Sequence, residues 1–442
     1  MLGRVFGRKR RKVVVLGLDG VPCTLLERFA AEGVMPNVAG LIEEGTLCSM
    51  TASVPEVSST SWSCFMTGVN PGRHGIYGFM EIDRNSYSWR FPNFNDLRSR
   101  TLWETAGEHG KRSIVVNVPS TYPARPLNGM LVSGFVALDL RKASYPDTMY
   151  RYLSSAGYRL DVDAGLALES LDDFTGDIIE TFRKRVEVIR HLYDSEEWDL
   201  FIAAVTETDR LHHYLWDALD DETHPQHGFF TDFYRELDSF IGDLYGRTGS
   251  DTPFIMMSDH GFTAIKREVY LNAYMREKGY LSFDAEEPKS FEVMNKGSRA
   301  FVLDPSRVYI HLKGRFSGGC VEEDEYEDLR NAIKEDLLSL EIEGERVVRS
   351  IFFKEDLYSG ELLADAPDLV VLPFEGFDLK GSVTKTELCG RGPLTGGHTR
   401  EDAVFFINRP AACDSPDIVD AGVTVLKMLG IETDGLDGKA LA

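Results

Sequence analysis

Val13-Val14-Val15-Leu16-Gly17-Leu18-Asp19-Gly20 decides how the rest of the chain is read. Six apolar residues without alternation describe a strand buried on both faces, because a strand with one wet face would alternate. The carboxylate and glycine that follow sit where such a strand leaves its sheet. The same signature returns at Ser113 to Val118, Leu200 to Val205, Pro253 to Met257 and Ala403 to Ile407. Between these runs the apolar residues recur near every 3.6 positions. That spacing predicts two helical stretches over 25–44, interrupted at Met35-Pro36-Asn37, and helices over 101–109, 177–193, 229–245, 324–340 and 418–429. Strands alternating with helices predict an α/β fold, a doubly wound and mostly parallel sheet with helices on both faces.

Two stretches fit this pattern less well. Residues 77–100 are aromatic and polar with weak periodicity and read as a long functional loop. Residues 266–390 mix a charged helix with short strand-like pieces such as Arg307 to Leu312, and read as an inserted cap. The expected organisation is therefore a basic arm over 1–12, a catalytic core over 13–265 and 391–442, and an insertion over 266–390 that shapes a substrate pocket.

Composition limits the function. The chain has 442 residues, 48 Lys and Arg against 71 Asp and Glu, and a formal net charge of −23. Such a surface repels a phosphate backbone, so no nucleic-acid polymer is expected as partner. No segment reaches the roughly 18 uninterrupted apolar residues of a membrane helix, and a cytoplasmic location is expected. The run Arg8 to Lys12 reads as a solvated arm that could touch acidic lipid or nucleic acid. Six scattered cysteines without a CxxC pair are expected to be reduced, partly buried thiols. The sequence carries no signal of oligomeric state.

Ligands of open α/β sheets gather beyond the carboxyl ends of the strands, and polar clusters follow the strands here. Asp19 follows the first. Thr206-Glu-Thr-Asp209-Arg-Leu-His-His213 follows the third and puts Asp209 and His213 on one helix face, able to chelate one divalent ion. Ser258-Asp259-His260-Gly261 offers two adjacent ligands in a glycine turn, and His398 lies on the glycine loop before Ala403. Ser58, the first of four hydroxyl residues in Ser58-Ser-Thr-Ser61, stands where a helix would begin; free N–H groups and the helix dipole there suit an oxygen nucleophile attacking phosphate. Taken singly, each feature also describes a cap, a turn or a salt link. Together, three Asp, three His and one hydroxyl supply two ions with three protein ligands each and leave positions open for substrate. The remaining seven histidines lack such surroundings and read as structural or surface residues.

The order Asp19, Ser58, Asp209-x-x-x-His213, Asp259-His260, His398 resembles the alkaline phosphatase superfamily, and more closely its type I phosphodiesterase/nucleotide pyrophosphatase family. Trp62-Ser-Cys-Phe-Met-Thr67-Gly68, Asn70-Pro-Gly-Arg-His-Gly-Ile76, Val116 to Pro123 and Asp417 to Gly438 support the resemblance, which spans 13–440. It implies two divalent metal ions. Asp19, Asp259, His260 and the Ser58 oxygen would hold one, and Asp209, His213 and His398 the other, with Zn2+ the first choice and Mn2+, Fe2+ or Co2+ also admitted by this donor set. It implies hydrolysis of a phosphodiester or pyrophosphate-type bond in a small phosphate ester, through a phosphoseryl intermediate at Ser58. One position departs from the family. Asparagine three residues after the nucleophile contacts a phosphate oxygen there, and this chain has Ser61, so Ser61 or Asn117 is the expected substitute. A phosphomonoesterase is the alternative, and a metal-stabilised binding protein without turnover is a more remote one. A sulfatase is disfavoured because the nucleophile segment lacks the x-Pro-x-Arg needed for formylglycine.

Overall fold

The structure, a computed structural model, describes residues 11–442. Of the basic arm, residues 1–10 lie outside the described residues. Eight strands form the main sheet, running from one edge to the other as Thr46–Met50, Ala403–Ile407, Phe254–Met257, Val13–Leu18, Leu200–Val205, Ser113–Val118, Gly129–Ser133 and Ser144–Tyr145. The five strands from Phe254–Met257 to Gly129–Ser133 are mutually parallel, and Ala403–Ile407 and Ser144–Tyr145 run antiparallel to their inner neighbours. Every residue of Val13–Leu18, Ser113–Val118 and Leu200–Val205 is buried, as the unbroken apolar runs of the first and third require, and the second buries Ser113 and Asn117 along with its apolar residues. Apolar clusters line both faces of the sheet. One packs against Leu171–Ser195 and His227–Thr248, the other against Ser58–Thr67 and Ile418–Leu429.

The expected helices are present with adjusted ends: Leu102–Glu108, Leu171–Ser195, His227–Thr248, Tyr326–Leu338 and Ile418–Leu429. Thr101 and Glu104 form a capping box at the first, and Ser170 caps the second. The break at Met35-Pro36-Asn37 separates Cys23–Ala31 from Pro36–Glu44. There Asp238 accepts hydrogen bonds from the Asn37 N–H, the Asn37 amide and the Val38 N–H, so a distant carboxylate does the capping.

Within residues 267–390 the chain builds an antiparallel sheet of its own, ordered Ala300–Leu303, Arg307–Ile310, Leu369–Pro373, Val348–Phe353, with a separate apolar core under Tyr326–Leu338. Residues 77–100 contain only a short pairing of Glu81–Ile82 with Trp89–Arg90 and one turn of 3-10 helix.

The cysteine expectation is corrected in one respect. Cys48, on the edge strand, is disulfide-bonded to Cys413, while Cys23, Cys64, Cys320 and Cys389 are free. The two partners are 365 residues apart in sequence, so only the pairing of Thr46–Met50 with Ala403–Ile407 brings them together. No helix among the described residues is long and apolar enough to cross a membrane.

Candidate metal and nucleophile site

Three strand ends and one helix start meet at the carboxyl edge of the main sheet. Asp19 leaves Val13–Leu18 with its N–H still bonded to the Val205 carbonyl at 2.9 Å. Gly20 then takes φ +67°, a conformation costly for a side chain, and its N–H donates to Asp259 Oδ1 at 3.1 Å. Trp62 fixes the Asp19 side chain by donating Nε1–H to Oδ2 at 3.0 Å. The indole lies against Gly17, where a Cβ would come within 2.3 Å of the ring.

Ser58 is the first residue of the Ser58–Thr67 helix, after extended Val57. Its Oγ lies 3.4 Å from Asp19 Oδ1 and 3.1 Å from His260 Nε2. Asp259 and His260 follow Phe254–Met257, and Asp259 Oδ2 stands 3.3 Å from His260 Nε2. Asp209 and His213 share one face of Glu207–Leu215, with 3.3 Å between Asp209 Oδ1 and His213 Nε2. His398 reaches the same point because Gly396–Thr399 pairs with Gly261–Ala264, which places it opposite Phe262. Its Nε2 is 3.4 Å from Asp209 Oδ1 and 3.0 Å from His213 Nε2.

The second contacts of the three histidines define what the cluster can hold. Nδ1 of His213, His260 and His398 lies 2.8–3.0 Å from the carbonyls of Gly396, Gly261 and Glu56, respectively. A carbonyl only accepts, so each Nδ1 carries the hydrogen and each neutral ring turns an Nε2 lone pair inward. Two such lone pairs face each other between His213 and His398. Asp209 Oδ1 and Asp259 Oδ2 are buried with no hydrogen-bond donor. Acceptors gathered without donors are what a cation requires, and the mixed nitrogen and carboxylate set fits a divalent transition ion. Ligand atoms of Asp209, His213 and His398 lie within 4.8 Å of one another, as do those of Asp19, Asp209 and His260. Asp209 thus borders both groups.

Protonation records the same crowding. Burial, reinforced by Asp259 and Asp209, pushes the Asp19 carboxyl well above its usual range, and burial with Asp209 nearby pushes Asp259 up to about 7. Burial holds His260 well below its ordinary value, and the neighbouring His398 adds to this. Burial opposes ionisation of Asp209 too, but the positive charge of His213 and His398, when these rings are protonated, outweighs it and holds that carboxyl well below its usual range.

Two expected contacts are not brought to this point. Ser61 Oγ is fully buried and bonded to Ser53 Oγ at 2.8 Å. Asn117 spends both amide hydrogens on the Ala204 carbonyl and Thr206 Oγ1, at 3.0 and 3.1 Å. The cavity in front of the site, about 460 Å³, is lined by neither. It is lined instead by Glu56, Ser59, Phe135 and Arg210, which the sequence did not single out, and by Phe79 and Lys380, which come from the 77–100 loop and the 266–390 insertion. Only chain proximity to Ser58 and Asp209 marked Glu56, Ser59 and Arg210 beforehand. The aromatic stretch contributes Phe79 and Met80, and residues 267–390 contribute 304–306 and 376–380. The histidines read as structural include His212, buried between the Gly20 carbonyl and the Tyr234 hydroxyl, and His74, buried beside Cys64.

A family model described as type I phosphodiesterase/nucleotide pyrophosphatase matches residues 13–399. Among solved structures, phosphonoacetate hydrolase from Sinorhizobium meliloti in complex with phosphonoformate is similar at 17% identity and TM-score 0.62, covering 95% of this chain and 96% of that one. Murine ectonucleotide pyrophosphatase/phosphodiesterase 5 in complex with AMP is similar at 12% identity and TM-score 0.58, covering 97% of each chain. The human form of the latter stands at 14% and 0.57, again covering 97% of each chain. No curated protein matches by sequence.

Proposed function

Because the chain belongs to the type I phosphodiesterase/nucleotide pyrophosphatase family, and so is a hydrolytic enzyme of the alkaline phosphatase superfamily, we propose that it cleaves small phosphate esters with Ser58 as nucleophile. The carrying observation is the convergence of seven side chains, Asp19, Ser58, Asp209, His213, Asp259, His260 and His398, with orphaned acceptors at Asp209 and Asp259. The family is metal-dependent. Asp209, His213 and His398 would hold one divalent ion, and Asp19, Asp259, His260 and Ser58 the other, Zn2+ being the first choice. Ions bound there would supply the positive charge that favours an ionised Ser58 and offsets charge growing on the phosphate oxygens.

The residues themselves carry the remaining work. Ser58 Oγ, fixed at the first turn of its helix, gives up its proton to solvent and forms a bond to phosphorus while the bond to the leaving oxygen breaks, and that oxygen departs with the bonding pair and takes up a proton from water. Helix N–H groups at that turn stabilise the anionic phosphoryl group. Water then cleaves the phosphoseryl ester, releasing the phosphate and returning the hydroxyl of Ser58. The apolar walls, Phe79 and Phe135 among them, take up the organic part of the substrate and exclude water from it.

Family membership points to a diester or pyrophosphate-type bond. A monoester is the second reading, favoured by the engagement of Ser61 with Ser53 and of Asn117 with Ala204 and Thr206. Turnover of 4-nitrophenyl phosphate and bis(4-nitrophenyl) phosphate by metal-loaded protein tests both. Ser58→Ala is expected to lose at least about 10³ in kcat while retaining its metal by elemental analysis. A variant that keeps its rate, or rapid quenching that never captures phosphorus on Ser58, would remove the serine from the reaction.

A further inference from the structure

We propose that Arg210 holds a non-bridging oxygen of the substrate and selects a dianionic phosphate monoester; this rests on the phosphoesterase reading above. The family's asparagine position is Ser61 here, and its hydroxyl faces Ser53, away from the cavity. Asn117 has no amide hydrogen left to offer. A phosphate entering the site therefore needs another donor for the oxygens that cations do not reach.

Two permanently charged cations line the cavity, Arg210 and Lys380. Lys380 is committed to Asp378 at 2.6 Å, on the same strand, Phe377–Lys380. Arg210 directly follows the ligand Asp209. Its side chain is only 14% exposed, and its orientation is fixed from behind. Asp161 accepts from Nε at 3.3 Å and from Nη2 at 2.6 Å, and the Phe135 ring lies 4.4 Å from the guanidinium carbon. Phe79 stacks on Phe135 in turn, with 5.3 Å between ring centres.

With two nitrogens engaged by Asp161, the Nη1 edge remains, 3.5 Å from Asp209 Oδ2. That distance is long for a committed hydrogen bond, so Nη1 has a hydrogen free for an oxygen that arrives beside Asp209. A guanidinium held by a carboxylate and an aromatic face is preorganised, and its charge acts in a confined, mostly apolar cavity. Charge then discriminates between substrates. A monoester presents a dianion with three non-bridging oxygens, whereas a diester presents a monoanion with two. The same cation gains more from the first.

The test compares metal-loaded wild type, Arg210→Gln and Arg210→Lys on 4-nitrophenyl phosphate and bis(4-nitrophenyl) phosphate, with calorimetric titration of inorganic phosphate alongside. Arg210→Gln is expected to lose about 10²–10³ in kcat/KM on the monoester, the usual effect of removing one preorganised donor, and less than about tenfold on the diester. Phosphate affinity should fall in parallel, with Arg210→Lys between the two because a point charge replaces a fork. Equal losses on both esters, or phosphate binding unchanged in Arg210→Gln, would overturn the assignment. The phosphate titration decides this even if neither ester is turned over. Ser58→Ala separates the two claims: it should keep phosphate affinity and lose turnover, so a fully active Ser58→Ala defeats the nucleophile while the Arg210 result stands on its own.

Discussion

Trp62→Phe offers the most direct measure of how the fold serves the site. Trp62 is fully buried, lies on Gly17 and donates to Asp19 Oδ2 at 3.0 Å. Phenylalanine keeps an aromatic ring there but removes the N–H and part of the volume. A void of roughly 40 Å³ at about 24 cal/mol per Å³ costs about 1 kcal/mol. The lost hydrogen bond depends on the state of Asp19. Without a cation, burial and the neighbouring Asp259 and Asp209 keep this carboxyl protonated well above its usual range, and a bond to a neutral group is worth about 0.5–1.5 kcal/mol. With a cation the carboxylate is ionised, and the same bond is worth about 1.5–3 kcal/mol. Urea unfolding should therefore show a loss of about 2 kcal/mol for the metal-free variant and a larger one for the loaded variant. By linkage, the difference of about 1–1.5 kcal/mol is a loss of metal affinity of about 5- to 13-fold, read independently by competition with a chromophoric chelator. A Trp62→Phe variant with wild-type metal affinity would refute the idea that this indole positions Asp19.

Two further outcomes concern the elements behind the site. Asp417 caps Ile418–Leu429, which packs on the Ser58 helix, and burial with Asp420 alongside pushes its carboxyl up to about 6, partly offset by the Val419 N–H. An acid raised in the folded state favours folding below its unfolded value near 4 and loses that advantage as pH rises through 6. Asp417→Asn keeps the cap without the charge, so it should exceed wild type by up to about 3 kcal/mol at pH 7.5 and match it at pH 4, by urea midpoints; identical differences at both pH values would contradict the assignment. Arg185 and Glu207 form an ion pair at 2.8 Å with neither side chain exposed, at the start of the helix bearing Asp209 and His213. Arg185→Met should cost about 3–5 kcal/mol by stranding a buried carboxylate, and Arg185→Met/Glu207→Gln should recover at least half, measured the same way.

The main sheet was legible because its strands are wet on neither face: Val13–Leu18 and Leu200–Val205 can be read as sealed runs without any partner in view. The clustered side chains were legible for a related reason: Asp19, Asp259 and His260 follow such runs, Ser58 and Asp209 stand at helix starts, His213 lies one turn beyond Asp209, and His398 was marked only by its glycine loop. Arg210 and Glu56 were not, because an arginine beside a ligand and a glutamate in a Pro-Glu-Val turn are ordinary in sequence and become cavity walls only after packing. Ser61 misled for the converse reason: its position in the motif suggested a phosphate contact, but the nearby Ser53 hydroxyl captures it. The antiparallel sheet over 300–373 was blurred by short strands with long excursions between them. No local pattern could pair Cys48 with Cys413.

That disulfide makes a covalent ring of nearly the whole molecule. Ser58, Asp209, His213, Asp259, His260 and His398 all lie on the ring, and Asp19 alone lies on the tail outside it. A single proteolytic clip in any surface loop of the ring would release no fragment, and the two pieces would migrate as one species until a reductant is added. Backbone continuity across the cavity is therefore visible only on a reducing gel, whereas a cut before Cys48 frees the strand that carries Asp19 from every covalent tether.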